Sequence, residues 1–240
     1  MFMQIPLEVI DRLEDRYGKY WWSREEEEEF SKIFNNPFKN LIFTILSQNT
    51  SSINAHRAYR SLSLKLPIDP KSLANTGEEE IAEAIKVGGL HRVKARRIRE
   101  ASRYIVEKLD GSLDEVLKLP IEVARKTLKQ IPGVGDKTAD VVLSSIYSPR
   151  EVIAIDTHMS RLAKRLGIAS EDAGYGEVQN ALISFIPWST IPSFRWSRVV
   201  GLLWLLAKHT CKARKPRCVE CVLSSICASS RVFLKSISTT

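Results

Sequence analysis

The chain has 240 residues, a mass of 27.2 kDa, and 44% apolar and 27% charged residues, which excludes a disordered chain and allows one large or two small domains with real cores. Lys and Arg outnumber Asp and Glu by 36 to 28, a net charge of +8, which suits a polyanionic partner without naming it. The longest apolar run, Val199–Ala207, is nine residues, too short to span a bilayer, so no membrane partner is expected.

At the N-terminus, Glu8, Asp11, Glu14 and Asp15 make neither a secretory signal nor a transit peptide, and an intracellular, cytoplasmic protein is expected. Ile5, Leu7, Ile10, Leu13 and Tyr17 recur at helical spacing. The five acids Glu25–Glu29 read as a solvated helix face. Phe38, Leu41, Ile42, Ile45 and Leu46 trace a second apolar stripe, and the period continues through 53–64, 78–85 and Val93, Ile98, Ala101 and Ile105. Pro and Gly interrupt it at Pro37, Pro67, Gly88-Gly89, Gly111, Pro120 and Pro132-Gly133. Ser112 is expected to cap the short helix after it. Along one of these helices run Arg92, Lys94, Arg96, Arg97, Arg99 and Arg103, opposed only by Glu100; a charged helix face explains them as well as a binding surface does. Only 152–155 resembles a strand, and it is too short to found a sheet. The fold class expected is all-α, built from short helices.

The stretch Leu128–Leu143 places Ile-Pro-Gly-Val-Gly between two helical segments. Gly133 and Gly135 open backbone conformations closed to other residues and let N–H groups approach an anion. A helix starting near Asp136 points its N-terminal dipole at the same place. This is a helix-hairpin-helix pattern, which grips a DNA backbone phosphate without reading sequence.

All four cysteines lie between Cys211 and Cys227, as C-x6-C-x2-C-x5-C. A secreted disulfide framework would spread them across the fold, so the cluster reads as a metal site. The spacing leaves zinc and an iron–sulfur cluster both open. Lys212, Arg214, Lys215 and Arg217 crowd the loop between the first two cysteines, where ligation would hold them in place for phosphate contact.

Taken together, Ile-Pro-Gly-Val-Gly-Asp-Lys-Thr-Ala-Asp-Val-Val-Leu, then Ala-Ile-Asp-Thr-His-Met-Ser-Arg-Leu, then the cysteine tail, resemble the endonuclease III family of helix-hairpin-helix DNA glycosylases. The likeness runs in order from about Phe38 to Cys227. The resemblance implies two helical domains with a DNA-binding cleft between them: a six-helix barrel over 32–148 carrying the hairpin, and a second domain joining 1–31 to 149–240. It implies Lys137 as the nucleophile that displaces the base from C1′ as a Schiff base, followed by β-elimination. Asp156, which can also cap the helix after it, would stabilise positive charge on the sugar and shuttle protons. It implies a 4Fe–4S cluster on Cys211, Cys218, Cys221 and Cys227. The base is flipped out of the helix, and the gap is filled by wedges that map to Gln48-Asn49 and to Leu90. Asn49 stands where the family has glutamine, and Ser52 where bacterial members carry an acid; both departures bear on lesion preference. His56, His91 and His209 are read as structural or phosphate-facing, and His158 and Arg161 receive no catalytic role.

The expected function is therefore a monomeric, nucleoid-associated bifunctional DNA glycosylase/AP lyase acting on damaged double-stranded DNA, with oxidised pyrimidines as the expected lesion class. Three rivals are a monofunctional mismatch glycosylase, a non-catalytic iron–sulfur DNA-binding protein, and a zinc-ribbon binder. Lys137 argues against the first, Lys137 with Asp156 against the second, and a visible spectrum separates the third.

Overall fold

The computed structural model describes residues 3–230, so the outer ends of the expected terminal domain, 1–2 and 231–240, lie outside the described residues. Within them the chain is helical and contains no strand. It divides into two compact units, 24–146 and 1–23 with 147–240.

The 24–146 unit holds α2 (Arg24–Phe34), α3 (Pro37–Ser47), α4 (Ser52–Lys65), α5 (Pro70–Asn75), α6 (Glu78–Ala84), α7 (His91–Lys108), α8 (Asp114–Leu117), α9 (Ile121–Leu128) and α10 (Asp136–Leu143). Three helices start at side-chain caps: Asn36 accepts from Lys39 N, Ser51 from Asn54 N, and Asp69 from Ser72 N. Pro37 and Pro70 sit in the first turn, where a missing N–H costs nothing. Ser112 behaves differently from expectation. Its hydroxyl accepts from Asp114 N, but the residue at the cap position of α8 is Leu113. Helix α3 is the hub. Leu41, Ile42, Ile45 and Leu46 are fully buried, and it packs on α2, α4, α7 and α10. Its two buried polar residues are satisfied: Asn40 Nδ2 donates to Val141 O at 3.0 Å, and Thr44 Oγ1 donates to Asn40 O at 2.8 Å. The unit begins at 24 where the expected barrel began at 32. The physical reason is Phe30 on α2, whose ring meets Phe43 edge-on at 5.6 Å and His56 at 5.0 Å. Of the acids in 25–29, the first four are exposed, while Glu29 is half-buried, 3.2 Å from His56 Nε2.

The other unit holds α1 (Leu7–Tyr17), α11 (Thr157–Leu166), α12 (Tyr175–Phe185) and α13 (Trp196–His209). Its core joins Leu13 and Tyr17 to Leu162, Phe185, Leu202 and Leu206. Ile5 precedes α1 and reaches this core from an extended segment whose N–H donates to Phe185 O at 2.8 Å; Leu7, in the expected stripe, is exposed. The 152–155 segment is extended and buried without a strand partner. Side chains serve its backbone instead: Gln179 Nε2 donates to Ile153 O at 2.8 Å, and Tyr175 Oη accepts from Ile155 N at 3.1 Å. No helix among the described residues is long and apolar enough to cross a membrane.

Gly201 on α13 gives way to Trp21. A Cβ built there would lie 2.3 Å from the Trp21 ring, which also stacks under Arg198 at 4.1 Å, while Arg198 Nε donates to Glu14 at 3.1 Å. Gly201→Ala should therefore lower stability by about 1–3 kcal/mol, although Ala favours helix by ~1 kcal/mol. Thermal unfolding of the variant measures it.

Candidate active site

The hairpin sits between α9 and α10. Ile131 and Val134 are buried and anchor the turn. Arg125 Nε donates to the fully buried Asp140 at 2.7 Å, and Lys129 pairs with Asp136, so the helices are braced on both sides of the loop. Gly133 has φ +80°, in the left-handed region that favours glycine. Gly135 does not: φ −101° and ψ −174° are extended backbone, and an added Cβ meets nothing within 4 Å. The expectation of special geometry thus holds at Gly133 alone. What Gly135 leaves is open space, and, with no side-chain cap on α10, its first-turn N–H groups face outward for an acceptor. Lys137 follows directly in that turn. It is half-buried, and within its unit no hydrogen bond or ion pair holds its amine.

Two loops of the same unit come together beside the hairpin. Thr50 Oγ1 donates to Gly88 O at 3.1 Å, and Lys94 Nζ, 2% exposed, donates to Leu46 O at 2.7 Å. Burial pushes the Lys94 ammonium below its ordinary pKa. On these tied loops Asn49 and Leu90 are both exposed, and both have φ +53°. Asn tolerates that conformation; Leu adopts it at a cost of about 1–2 kcal/mol. An exposed leucine held in strained backbone is of no use to the core. Gln48 differs from its neighbour. Its amide is engaged within the unit: Arg97 Nη1 donates to Oε1 at 2.6 Å, while Nε2 donates to Gly133 O at 3.3 Å and Thr138 Oγ1 at 3.4 Å. The structure therefore makes Gln48 the link between the loop after α3, α7 and the hairpin.

The basic stretch of α7 splits accordingly. Lys94 and Arg97 turn inward, Arg99 lies 3.5 Å from Glu78, and Arg92 and Arg96 are exposed.

In the other unit, Asp156 caps α11. Oδ1 accepts from His158 N and Met159 N, each at 2.9 Å, and Oδ2 accepts from the Trp204 indole at 2.7 Å. Trp204 carries no signal in the sequence, because it lies inside an apolar run, where an aromatic reads as core. At the far end of α11, Arg161 Nε donates to Cys211 O and its Nη2 to Ala207 O, both at 2.8 Å, while Arg165 donates to Lys212 O at 2.7 Å and Ala213 O at 3.0 Å. His158 Nδ1 lies 3.1 Å from Arg161, and His209 stacks on Tyr20 at 4.2 Å, both structural contacts.

Cys211, Cys218, Cys221 and Cys227 line one small apolar cavity. Burial first, then neighbouring sulfurs, pushes the thiols of Cys218, Cys221 and Cys227 upward, Cys221 to about 11. Thiolates there need a cationic group to share their charge. Four sulfurs set around a common cavity fit a multi-atom cluster. Lys212, Arg214, Lys215 and Arg217 are all exposed on the loop, with Lys215 at φ +52°.

Residues 42–187 match the family model of the HhH-GPD superfamily base excision DNA repair proteins, and 211–227 match the iron–sulfur binding domain of endonuclease III. Endonuclease III of Thermotoga maritima is 35% identical over 80% of this chain and 82% of its own, and that of Bacillus subtilis is 33% identical over 83% and 84%. A solved trapped endonuclease III–DNA covalent intermediate superposes with a TM-score of 0.70 at 27% identity, covering 95% of this chain and 96% of that one.

The strain at Leu90 is testable. Leu90→Gly removes the Cβ that φ +53° penalises, so the melting temperature should hold or rise by the equivalent of up to ~1 kcal/mol. Affinity for a duplex carrying an abasic site should fall. A large loss of thermal stability would place Leu90 in the fold rather than at the DNA.

Proposed function

Since the chain belongs to the HhH-GPD superfamily of base excision DNA repair proteins, and within it to the endonuclease III family, we propose that Lys137 is its nucleophile and Asp156 the carboxylate that supports the sugar through the reaction. The protein is a bifunctional DNA glycosylase and AP lyase with a 4Fe–4S cofactor, and it binds DNA. The observation that carries the residue assignment is the amine of Lys137, left without a partner in its unit directly after an uncapped helix N-terminus.

The chemistry follows from those groups. A phosphate beside the target nucleotide accepts from the N–H groups opened by Gly133 and Gly135. Asn49 and Leu90 occupy the space that the extruded base vacates, while Gln48 holds their loop against the hairpin. The Lys137 amine attacks C1′, the bond from C1′ to the base breaks, and the base leaves with a proton. Asp156, held by three N–H donors, stabilises positive charge as it grows on the sugar. The lysine nitrogen then opens the sugar ring: its lone pair forms the C1′=N bond, the C1′–O4′ bond breaks and O4′ takes a proton. The resulting Schiff base acidifies C2′; loss of that proton expels the 3′ phosphate, and water then frees the lysine. Oxidised pyrimidines are the proposed lesion class.

Cys211, Cys218, Cys221 and Cys227 are the proposed ligands of the cluster. When bound, it supplies fixed positive charge that neutralises the four sulfurs and closes the 211–227 loop. Lys212, Arg214, Lys215 and Arg217 are then presented together to backbone phosphate, a contact that weakens steeply with salt.

Borohydride should trap wild-type protein on a duplex with an abasic site or an oxidised pyrimidine, and a panel of single-lesion duplexes reads the preference. Lys137→Gln should abolish trapping and strand cleavage with binding nearly intact. An adduct formed by Lys137→Gln would move the nucleophile elsewhere, and base release by wild type without any adduct would favour a monofunctional enzyme.

Purified protein should contain about four irons per chain, and Cys218→Ser should lose iron and folded yield together. A Cys218→Ser protein with full iron and wild-type stability would remove that ligand from the set.

A further inference from the structure

Asp156 is held at both oxygens, and the two grips have different origins. Oδ1 is fixed by the backbone: the N–H groups of His158 and Met159 reach it from the first turn of α11, as they would for any capping aspartate. Oδ2 is fixed by a side chain from another helix. Trp204 Nε1, on α13, donates to it at 2.7 Å, a short bond of the charge-assisted kind. Without that bond the carboxylate could still cap, but rotation about the Cβ–Cγ axis would be resisted at Oδ1 alone.

The indole is itself held. Lys208 Nζ lies over its ring at 4.7 Å from the centroid, and the His158 ring meets it edge-on at 6.0 Å. The rest of the ring packs on the core of this unit. Trp204 thus reaches Asp156 from a seat held by contacts on more than one side. An ionised carboxylate offers about four acceptor positions. Three are filled by the two backbone N–H groups and the indole, which leaves one, on Oδ2.

We propose that Trp204 is a positioning residue for the glycosylase reaction: its indole N–H fixes the plane of the Asp156 carboxylate and leaves a single Oδ2 lone pair open to the substrate. This rests on the reading of Asp156 as the carboxylate that supports the sugar. The geometry separates Trp204 from an ordinary core aromatic, because a core residue needs the ring but not the N–H. It also separates the residue from a cap, because α11 is already capped through Oδ1.

The test removes the N–H and keeps the ring. Trp204→Phe retains an aromatic face under Lys208 and beside His158. 3-Benzothienylalanine inserted at position 204 replaces N–H with sulfur at nearly the same shape, and stands in should Trp204→Phe fail to fold. Iron content and thermal unfolding verify the cluster-loaded protein before assay. Single-turnover base excision should slow by roughly 10–100-fold, the range for loss of a hydrogen bond to a charged group, with KM and duplex affinity unchanged. A merely structural role would move stability and KM along with the rate. In the Asp156→Asn background the same replacement should cost nothing further, since the two residues act as one unit. Full activity in a folded Trp204 variant, with Asp156→Asn impaired, overturns the proposal and leaves the role of Asp156 standing. An equal loss in both backgrounds also overturns it, because Trp204 would then act through something else. Full activity in Asp156→Asn overturns the role of Asp156 and this proposal with it.

Discussion

Helix α11 is the member on which the terminal unit depends. It is ten residues long. Its N-terminus is closed by the carboxylate proposed for catalysis, and its last turns carry the two arginines that grip the cysteine loop. Arg161 and Arg165 give their guanidinium hydrogens to carbonyls of residues 207–213. A guanidinium suits this because its planar fork satisfies several acceptors at once. Gly167, at φ +80°, ends the helix, and Ala228 N and Ser229 N return to Leu166 O and Arg165 O. The end of the cysteine loop is thereby sewn onto the same helix. Asp156 and the cysteine loop are thus both fastened to one helix, a physical link between the cluster and the proposed carboxylate.

The other unit is organised by polar groups placed inside an apolar core. Lys94 is the clearest. Burying an ammonium is costly, and the lowered pKa records that cost. The bond to Leu46 O offsets part of it and satisfies a carbonyl at the C-terminal end of α3, which has no helical partner. Gln48, immediately after that helix, continues the arrangement through Arg97 to the hairpin. Leu46, Gln48, Thr50, Gly88, Lys94, Arg97 and Gly133 form one connected set. Its outward products are two exposed residues, Asn49 and Leu90, in left-handed backbone. Strain of this kind survives only where the surroundings over-determine it.

The net charge of +8 overstates how uniformly the surface attracts DNA. Lys94, Arg97, Arg125, Arg161 and Arg165 spend their hydrogens on the protein itself. Arg92, Arg96, Lys212, Arg214, Lys215 and Arg217 remain exposed. The long-range field draws on all of them, but phosphate contact is open only to the second group.

Much of this was legible in the sequence. Apolar spacing near 3.6 places α3 and α4 within a residue and α7 within three, because amphipathic helices must face one side to the core. Asp156 announces the start of α11, since capping is a local act of one side chain on the next turn. Pro-Gly-Val-Gly before Asp-Lys marks the hairpin, and four clustered cysteines mark a metal site, for the same reason: these signals involve neighbours in the chain. What the sequence could not determine lies between residues far apart in it. Gly135 and Gly133 look equivalent as letters, yet only one has positive φ. Ile5 belongs to an apolar stripe but reaches the core from extended chain. Lys94 and Arg97 read as surface charge, and Trp204 as one more apolar residue in a buried helix. Their partners, Leu46 O, Gln48 and Asp156, are 48 or 49 positions away. Spacing along a helix states which face a residue shares; only the packing of one helix against another decides which polar atom it meets there.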